Sequence, residues 1–364
     1  MRVGIDYLAA ASHGPGTGRY ARELVRALVR LPERPELRLF DVGRADRALE
    51  ARALGLPAGD PGVRRVTRAL PRRALPFLAR CGLDAARILG GVDLFHHVHV
   101  AGPPVRGARQ VLALGEFPAP GTADQAALRA RCSRMDALLV FCTAARQRAA
   151  RELDFSPARI HVTPAGAEHW RRELGGLPAP DDPPRLLVLG ATRAERAPLA
   201  IWRAFERLCV QGLDARLVFA GRDGGAEPEL ASALRASPHA WRVARIREPA
   251  ERDLPGLVAR SSALVHLDPG AVTAVTPLEA LALGVPVVAS RSACFEEFLD
   301  GVAELVDDEQ AARVPSELAE VTARALARRG DPGALAARTA RAAQFSWERC
   351  ARATCAAWRA ALGA

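Results

Sequence analysis

Thr276 and Glu279 stand three positions apart in Thr276-Pro277-Leu278-Glu279, at the entry to a helical pattern. Two chemistries fit that spacing. As a capping box, Thr276 would bond the amide three residues on while Glu279 reached back to the cap. As a ligand site, the helix start would offer free N–H groups and a positive dipole end to an anion, with phosphate as the natural guest. The surrounding stretch, His266 to Ser290, reads as strand, glycine-bearing loop, helix, tight turn and second strand. Gly284-Val285-Pro286 stops the helix before the buried-strand run Val287-Val288-Ala289. This is a βαβ unit with its ligand edge exposed.

A second candidate lies at the start of the chain. After a first strand from Met1 to Tyr7, Gly14, Gly16 and Gly18 form a glycine loop that leads into a helix with Arg19 at its entrance. Glycines there permit a close backbone approach to a ligand, although the spacing is not the GxGxxG of a dinucleotide site. His97 and His99 share one face of a strand without a third spaced ligand, so no metal site is expected.

Composition narrows the chemistry further. All 51 basic residues are Arg, which excludes a Walker A loop, a pyridoxal Schiff base and a lysine nucleophile. Seven scattered cysteines without a CxxC pair suggest neither a disulfide framework nor zinc, and free cytosolic thiols are expected. Neither a signal peptide nor a membrane-spanning run is read, so the expected location is cytoplasmic. The +10 net charge sits in the first half, where residues 1–180 hold 28 Arg against 17 acidic residues. Arg64, Arg65, Arg68, Arg72, Arg73, Arg80 and Arg87 are its densest part. Such a patch is either a solvated face or a surface that draws an anionic membrane or polyanionic substrate. No nucleic-acid reader motif accompanies it.

The 364 residues, 49% of them hydrophobic, suffice for two domains with separate cores. Strands alternate with helices on both sides of Gly175–Pro184, a Pro- and Gly-rich stretch expected to be the linker. Expected strands are Leu37–Val42, Val92–Val100, Gln110–Leu114, Ala137–Cys142 and Ile160–Val162, then Arg185–Leu189, Ala215–Ala220, Trp241–Ile246 and the anchor unit. The stretch Ala45–Leu89 is read as helical or irregular. Phe345 to Gly363 is a long amphipathic helix.

The ordered segments GTGRYARELVRAL, ARIHVTPAGAE, LVLGATRAERAPLAIWRAF, LVFAGR, TPLEALALGVPVVAS and FSWERC resemble retaining glycosyltransferases of GT-B group 4, which use nucleotide-sugar donors. The resemblance covers nearly the whole chain. It implies an α/β fold of two facing Rossmann-like domains with parallel sheets: an acceptor-side domain over 1–174, a linker over 175–184, a donor-binding domain over 185–345, and a last helix over 346–364 crossing back. The implied reaction moves a sugar from a UDP-, GDP- or dTDP-sugar to a hydroxyl acceptor, with retention and without metal or cofactor.

Residue by residue, Glu279 falls on the second Glu of the family's E-x7-E motif, which binds the donor ribose. Arg196 falls where the family carries the Lys that clamps the diphosphate; Arg193 would supply a second clamp cation, although the family's own Arg position in this loop falls on Ala191 or Glu195. Thr276 and the loop amides before it would meet the distal phosphate, with Gly16 and Gly18 facing it from the other domain. The departures are equally specific. Ala271 replaces the first Glu of the motif, leaving Asp268 as the nearest carboxylate, and the N-domain His is absent, leaving Glu116 as the only ionisable group there. Glu116 and Asp268 are therefore the candidate catalytic groups. The competing expectation is a catalytically silent relative that serves as partner of another transferase.

Overall fold

The computed structural model describes residues 1–11, 16–42, 60, 62–68, 77, 82–307 and 315–363. They form two compact units: Met1–Gly166 with Trp347–Ala364, and Ala167–Ser346.

The first unit is built on a seven-stranded sheet in the order β3-β2-β1-β4-β5-β6-β7. Its strands are β1 (Arg2–Asp6), β2 (Glu36–Val42), β3 (Val63–Arg68), β4 (Leu94–His97), β5 (Arg109–Leu114), β6 (Ala137–Val140) and β7 (Ile160–Val162). Every pairing is parallel. The strand expected over Val92–Val100 is shorter, because the backbone turns away after His97. β3 is a strand inside a stretch expected to be helical or irregular. It sits at the sheet edge, where Arg64, Arg65 and Arg68 need no continuous apolar run, and charge on an edge discourages strand addition. Arg65 is paired with Asp41 of β2. Arg72, Arg73 and Arg80 of the basic patch, and most of 43–81, lie outside the described residues.

The last helix, Trp347–Leu362, belongs to this unit and packs on the helix Thr17–Arg30 and on β5 and β6. Its buried Trp347 and Trp358 meet Tyr20 and His96, the second pair at 5.5 Å in a T-shaped arrangement. Fully burying a side chain of that size contributes roughly 2–3 kcal/mol.

The second unit carries a six-stranded parallel sheet in the order β10-β9-β8-β11-β12-β13. The strands are β8 (Arg185–Leu189), β9 (Arg216–Ala220), β10 (Val243–Ile246), β11 (Ala263–His266), β12 (Val287–Ser290) and β13 (Glu304–Val306). Buried on both faces, the central strands read as near-continuous apolar runs. Trp202, Phe205 and Leu208 of the helix Pro198–Val210 fill one face together with Phe219, Leu318 and Val321. Chain order reverses between β8 and β11, so the loops leaving these strands part and open a crevice at their carboxyl ends.

The units divide at Gly166, before the helix His169–Leu174, rather than in the Pro-rich 175–184 stretch. That short helix belongs to the second unit because its own side chains tie it there. His169 is buried against Glu279, and Arg171 donates to the Ala282 carbonyl at 3.4 Å.

Candidate functional site

The crevice at the β8/β11 reversal is built first by glycine. Gly190 follows β8 with φ +127, and a Cβ there would lie 2.1 Å from Nη1 of Arg196. The missing side chain is the space that the Arg196 guanidinium occupies. Arg196 ends the short 3-10 turn Ala194–Arg196 and folds back over the strand end. It donates from Nη1 to the Leu189 carbonyl and from Nη2 to Oδ2 of Asp268, both at 3.2 Å. The guanidinium thus spans the reversal point, joining the end of β8 to the loop after β11. Its side chain and that of Asp268 are about a quarter exposed.

Asp268 is held in turn, its N–H donating to Ser290 Oγ at 2.8 Å. Beneath it, His266 is buried, and burial first and the Arg196 charge second push its pKa down to about 3. The imidazole is therefore neutral, and no second cation competes with Arg196. Gly190→Ala is expected to cost about 1–3 kcal/mol of stability in the second unit, since the backbone angle is one that only glycine adopts readily. Urea unfolding checks this, and an unchanged midpoint would contradict it.

The helix Val275–Ala282 begins one residue before Thr276, with Ala274 as its N-cap and no side-chain cap. The capping box is therefore not formed. Thr276 lies inside the first turn, and Glu279 is turned sideways into the unit, with its Oε1 3.1 Å from Nε2 of His169. Glu279 is 0% exposed, so its carboxylate is not on the open edge. At the other end of the helix three guanidiniums hold the carbonyls. Arg171 bonds Ala282, while Arg329 (2.7 Å) and Arg338 (3.1 Å) both bond Gly284. The amino end is left without a side-chain cap and the carboxyl end is fully served, which suits an anion at the former.

Among the other expected site residues, Arg193 is exposed on the same loop as Arg196. At the outer strands, Arg245 pairs with Asp223 and Glu227, and Arg247 pairs with Asp223. Gly16, Gly18 and Glu116 belong to the first unit. Gly16 is exposed, has φ +66 and is the uncapped N-cap of Thr17–Arg30. Gly18 is there for packing, because a Cβ would sit 2.6 Å from the Ala9 carbonyl oxygen. Glu116 is exposed just beyond β5.

Two groups of the first unit carry no sequence signal. Arg131 approaches Nδ1 of His97 at 3.1 Å, while Nε2 of His97 faces Gln110 Oε1 at 3.1 Å. A guanidinium cannot accept, so Nδ1 accepts and the proton stays on Nε2. His97 is neutral for a second reason, since burial and then the Arg131 charge lower its pKa to about 3. His99 Nδ1 accepts the Ala101 N–H. Both histidines are thus in use within the protein, His97 at the end of β4 and His99 beyond the strand rather than on its face as expected.

Residues 183–343 match the family model described as Glycosyl transferases group 1. No curated protein matches the chain. Among solved structures it is similar to sucrose-phosphate synthase from Thermosynechococcus elongatus, with 16% identity, a TM-score of 0.71, and 100% of this chain and 99% of that one covered. It is also similar to Anabaena HepE solved in complex with UDP and glucose, with 15% identity, a TM-score of 0.68 and 98% of each chain covered. A glycosyltransferase from Rickettsia africae gives 12% identity and a TM-score of 0.67, with 99% and 98% covered. The two parallel-sheet units thus have the GT-B fold.

Proposed function

We propose that this chain transfers a hexosyl group from a nucleotide-diphosphate sugar to a hydroxyl acceptor, with retention at the anomeric carbon, a reading supported by the match of residues 183–343 to the glycosyl transferases group 1 model. The observation that carries the reading is Arg196 spanning the β8/β11 reversal beside an uncapped helix start. A departing nucleoside diphosphate develops negative charge, and a guanidinium with helix amides offsets it without a metal ion.

In this reading Arg196 exchanges its partner Asp268 for the diphosphate, and Arg193 and the first-turn amides around Thr276 meet the remaining oxygens. Asp268, released from the guanidinium, stands in for the carboxylate that Ala271 does not supply. Glu116 and the Gly16 amide belong to the acceptor side. The residues around Ile246-Arg247 and in 45–89 set the base and the acceptor. The arginines of the first unit suit an acceptor at an anionic membrane surface, and none of the helices among the described residues is long and apolar enough to cross a membrane.

The test is calorimetric binding of UDP-, GDP- and dTDP-sugars to the purified chain, with released nucleotide as the measure of turnover. Binding of one of them with slow nucleotide release is the expected result. A chain that binds none is not a transferase of this kind.

A further inference from the structure

In the loop over 190–197, which carries Arg193 and Arg196, Thr192 is the one buried residue, 3% exposed. Each of its polar atoms is bonded to the segment that follows β9. Its N–H donates to the Arg222 carbonyl at 3.2 Å, and its carbonyl accepts the Ala226 N–H at 3.1 Å. Its hydroxyl donates to Oε2 of Glu227 and accepts the Gly224 N–H, both at 2.9 Å. Glycines let the two segments come this close. A Cβ at Gly221 would lie 2.0 Å from the Gly190 carbonyl oxygen, and one at Gly224 would lie 2.5 Å from that of Thr192. Glu227, the first residue of the helix Glu227–Arg235, is anchored in turn. Its Oε2 accepts from Nη2 of Arg245 at 2.6 Å, and the same guanidinium bonds Asp223 and lies over the Phe219 ring.

We propose that Thr192, Glu227 and Arg245 are positioning residues of a phosphate clamp: they hold the 190–197 loop where Arg193 and Arg196 meet a donor diphosphate, and none of the three touches the nucleotide. This rests on reading the second unit as the donor site. From Thr192 the path to both cations is short. Arg193 is the next residue, and the 3-10 turn Ala194–Arg196 follows it, closed by the Arg196 N–H on the Arg193 carbonyl at 3.1 Å. A shift at Thr192 therefore moves both guanidiniums, and a misplacement of about 1 Å costs a clamp much of its effect. Position 192 needs a group that donates and accepts at once, which a small hydroxyl does and a methyl does not. Asp223 and Glu227 are paired with Arg245 and Arg247, so the acidic neighbouring segment is neutralised beside an anion site.

The experiment measures, by calorimetry on the full chain and its variants, the affinities for UDP, GDP and dTDP and for UMP, GMP and dTMP. The readout is the preference for diphosphate over monophosphate of the nucleotide that the parent binds. Arg196→Ala, which removes the clamp itself, sets the size of the full effect. Thr192→Val is expected to lower that preference about tenfold, because the aim of the cations is lost while the nucleoside keeps its own contacts. Thr192→Ser restores the hydroxyl and is expected within about twofold of the parent. Glu227→Ala removes the acceptor of that hydroxyl and is expected to behave as Thr192→Val does. A Thr192→Val chain that melts at a lower temperature with the preference unchanged would show a role in stability alone and overturn the proposal. So would a Thr192→Ser chain as impaired as Thr192→Val. Where Thr192→Val does not fold, Glu227→Ala carries the same ratio test. Failure of the unmodified chain to bind UDP, GDP or dTDP at all is a separate result, which removes the donor reading and this inference with it.

Discussion

Arg196→Ala lowers turnover by about 10²–10³-fold, equivalent to roughly 3–4 kcal/mol of transition-state stabilisation. The size follows from position. The guanidinium is only about a quarter exposed, its donors are already directed by the Leu189 carbonyl and Asp268, and the imidazole below it is neutral. Charge on a leaving diphosphate therefore meets a cation already held at the strand end, which exchanges Asp268 for it. Folding stability changes far less, since a partly exposed ion pair contributes about 0–1 kcal/mol. Arg196→Lys keeps the charge but loses the two-pronged donor geometry, and falls between the two. Released nucleotide under saturating donor, paired with thermal melts, separates the two effects. A variant that keeps a third or more of the parent turnover would mean that Arg196 is not the clamp.

Acid is expected to unfold the protein well above the range in which carboxylates titrate. Burial pushes His96, His97 and His266 down to about 3, aided by Arg131 at His97 and Arg196 at His266. In the unfolded chain the same groups titrate near the ordinary histidine value of about 6.5. Above that value both states are neutral and these residues add no pH dependence. Between about 6.5 and about 3 the unfolded chain binds more protons than the folded one, so stability falls as pH falls. At pH 5 the loss is about 2 kcal/mol for each histidine, large against a total of about 5–15 kcal/mol. His96 and His97 act on the first unit and His266 on the second, so the two units are expected to lose stability together. Urea midpoints at pH 7.5, 6 and 5 measure it, and a flat series to pH 5 would refute the assignment of these residues as neutral and buried.

The two sheets were legible in the sequence because parallel strands buried on both faces leave short apolar runs, as in Arg185–Leu189 and Val287–Ser290. β3 was not, since VRRVTR has only one neighbour strand and can be mostly arginine. The helix after β11 was readable from Thr276-Pro277-Leu278-Glu279 and Gly284-Val285-Pro286, but the use of Glu279 was not. A local pattern offers a capping partner three residues away, while in the fold Glu279 is buried within 3.1 Å of His169, from a distant part of the chain. The unit boundary falls ahead of the Pro-rich stretch, so that the helix His169–Leu174 lies in the second unit. Arg196 was anticipated as a clamp by resemblance, whereas its present hold on Asp268 is a property of the folded edge alone.

Arg338 gives the carboxyl end of the Val275–Ala282 helix a particular mechanics. It is buried, and its three nitrogens donate to the carbonyls of Gly284, Arg328 and Arg329. Burial lowers its pKa to about 10, which still leaves it charged at neutral pH. One planar group thus rivets the turn after the helix to the junction between the helices Pro315–Ala327 and Pro332–Ala343. A compact ammonium has no such fork to spread over three carbonyls, so here the absence of lysine is of structural use. Sliding the helix along its axis would drag that whole hairpin with it.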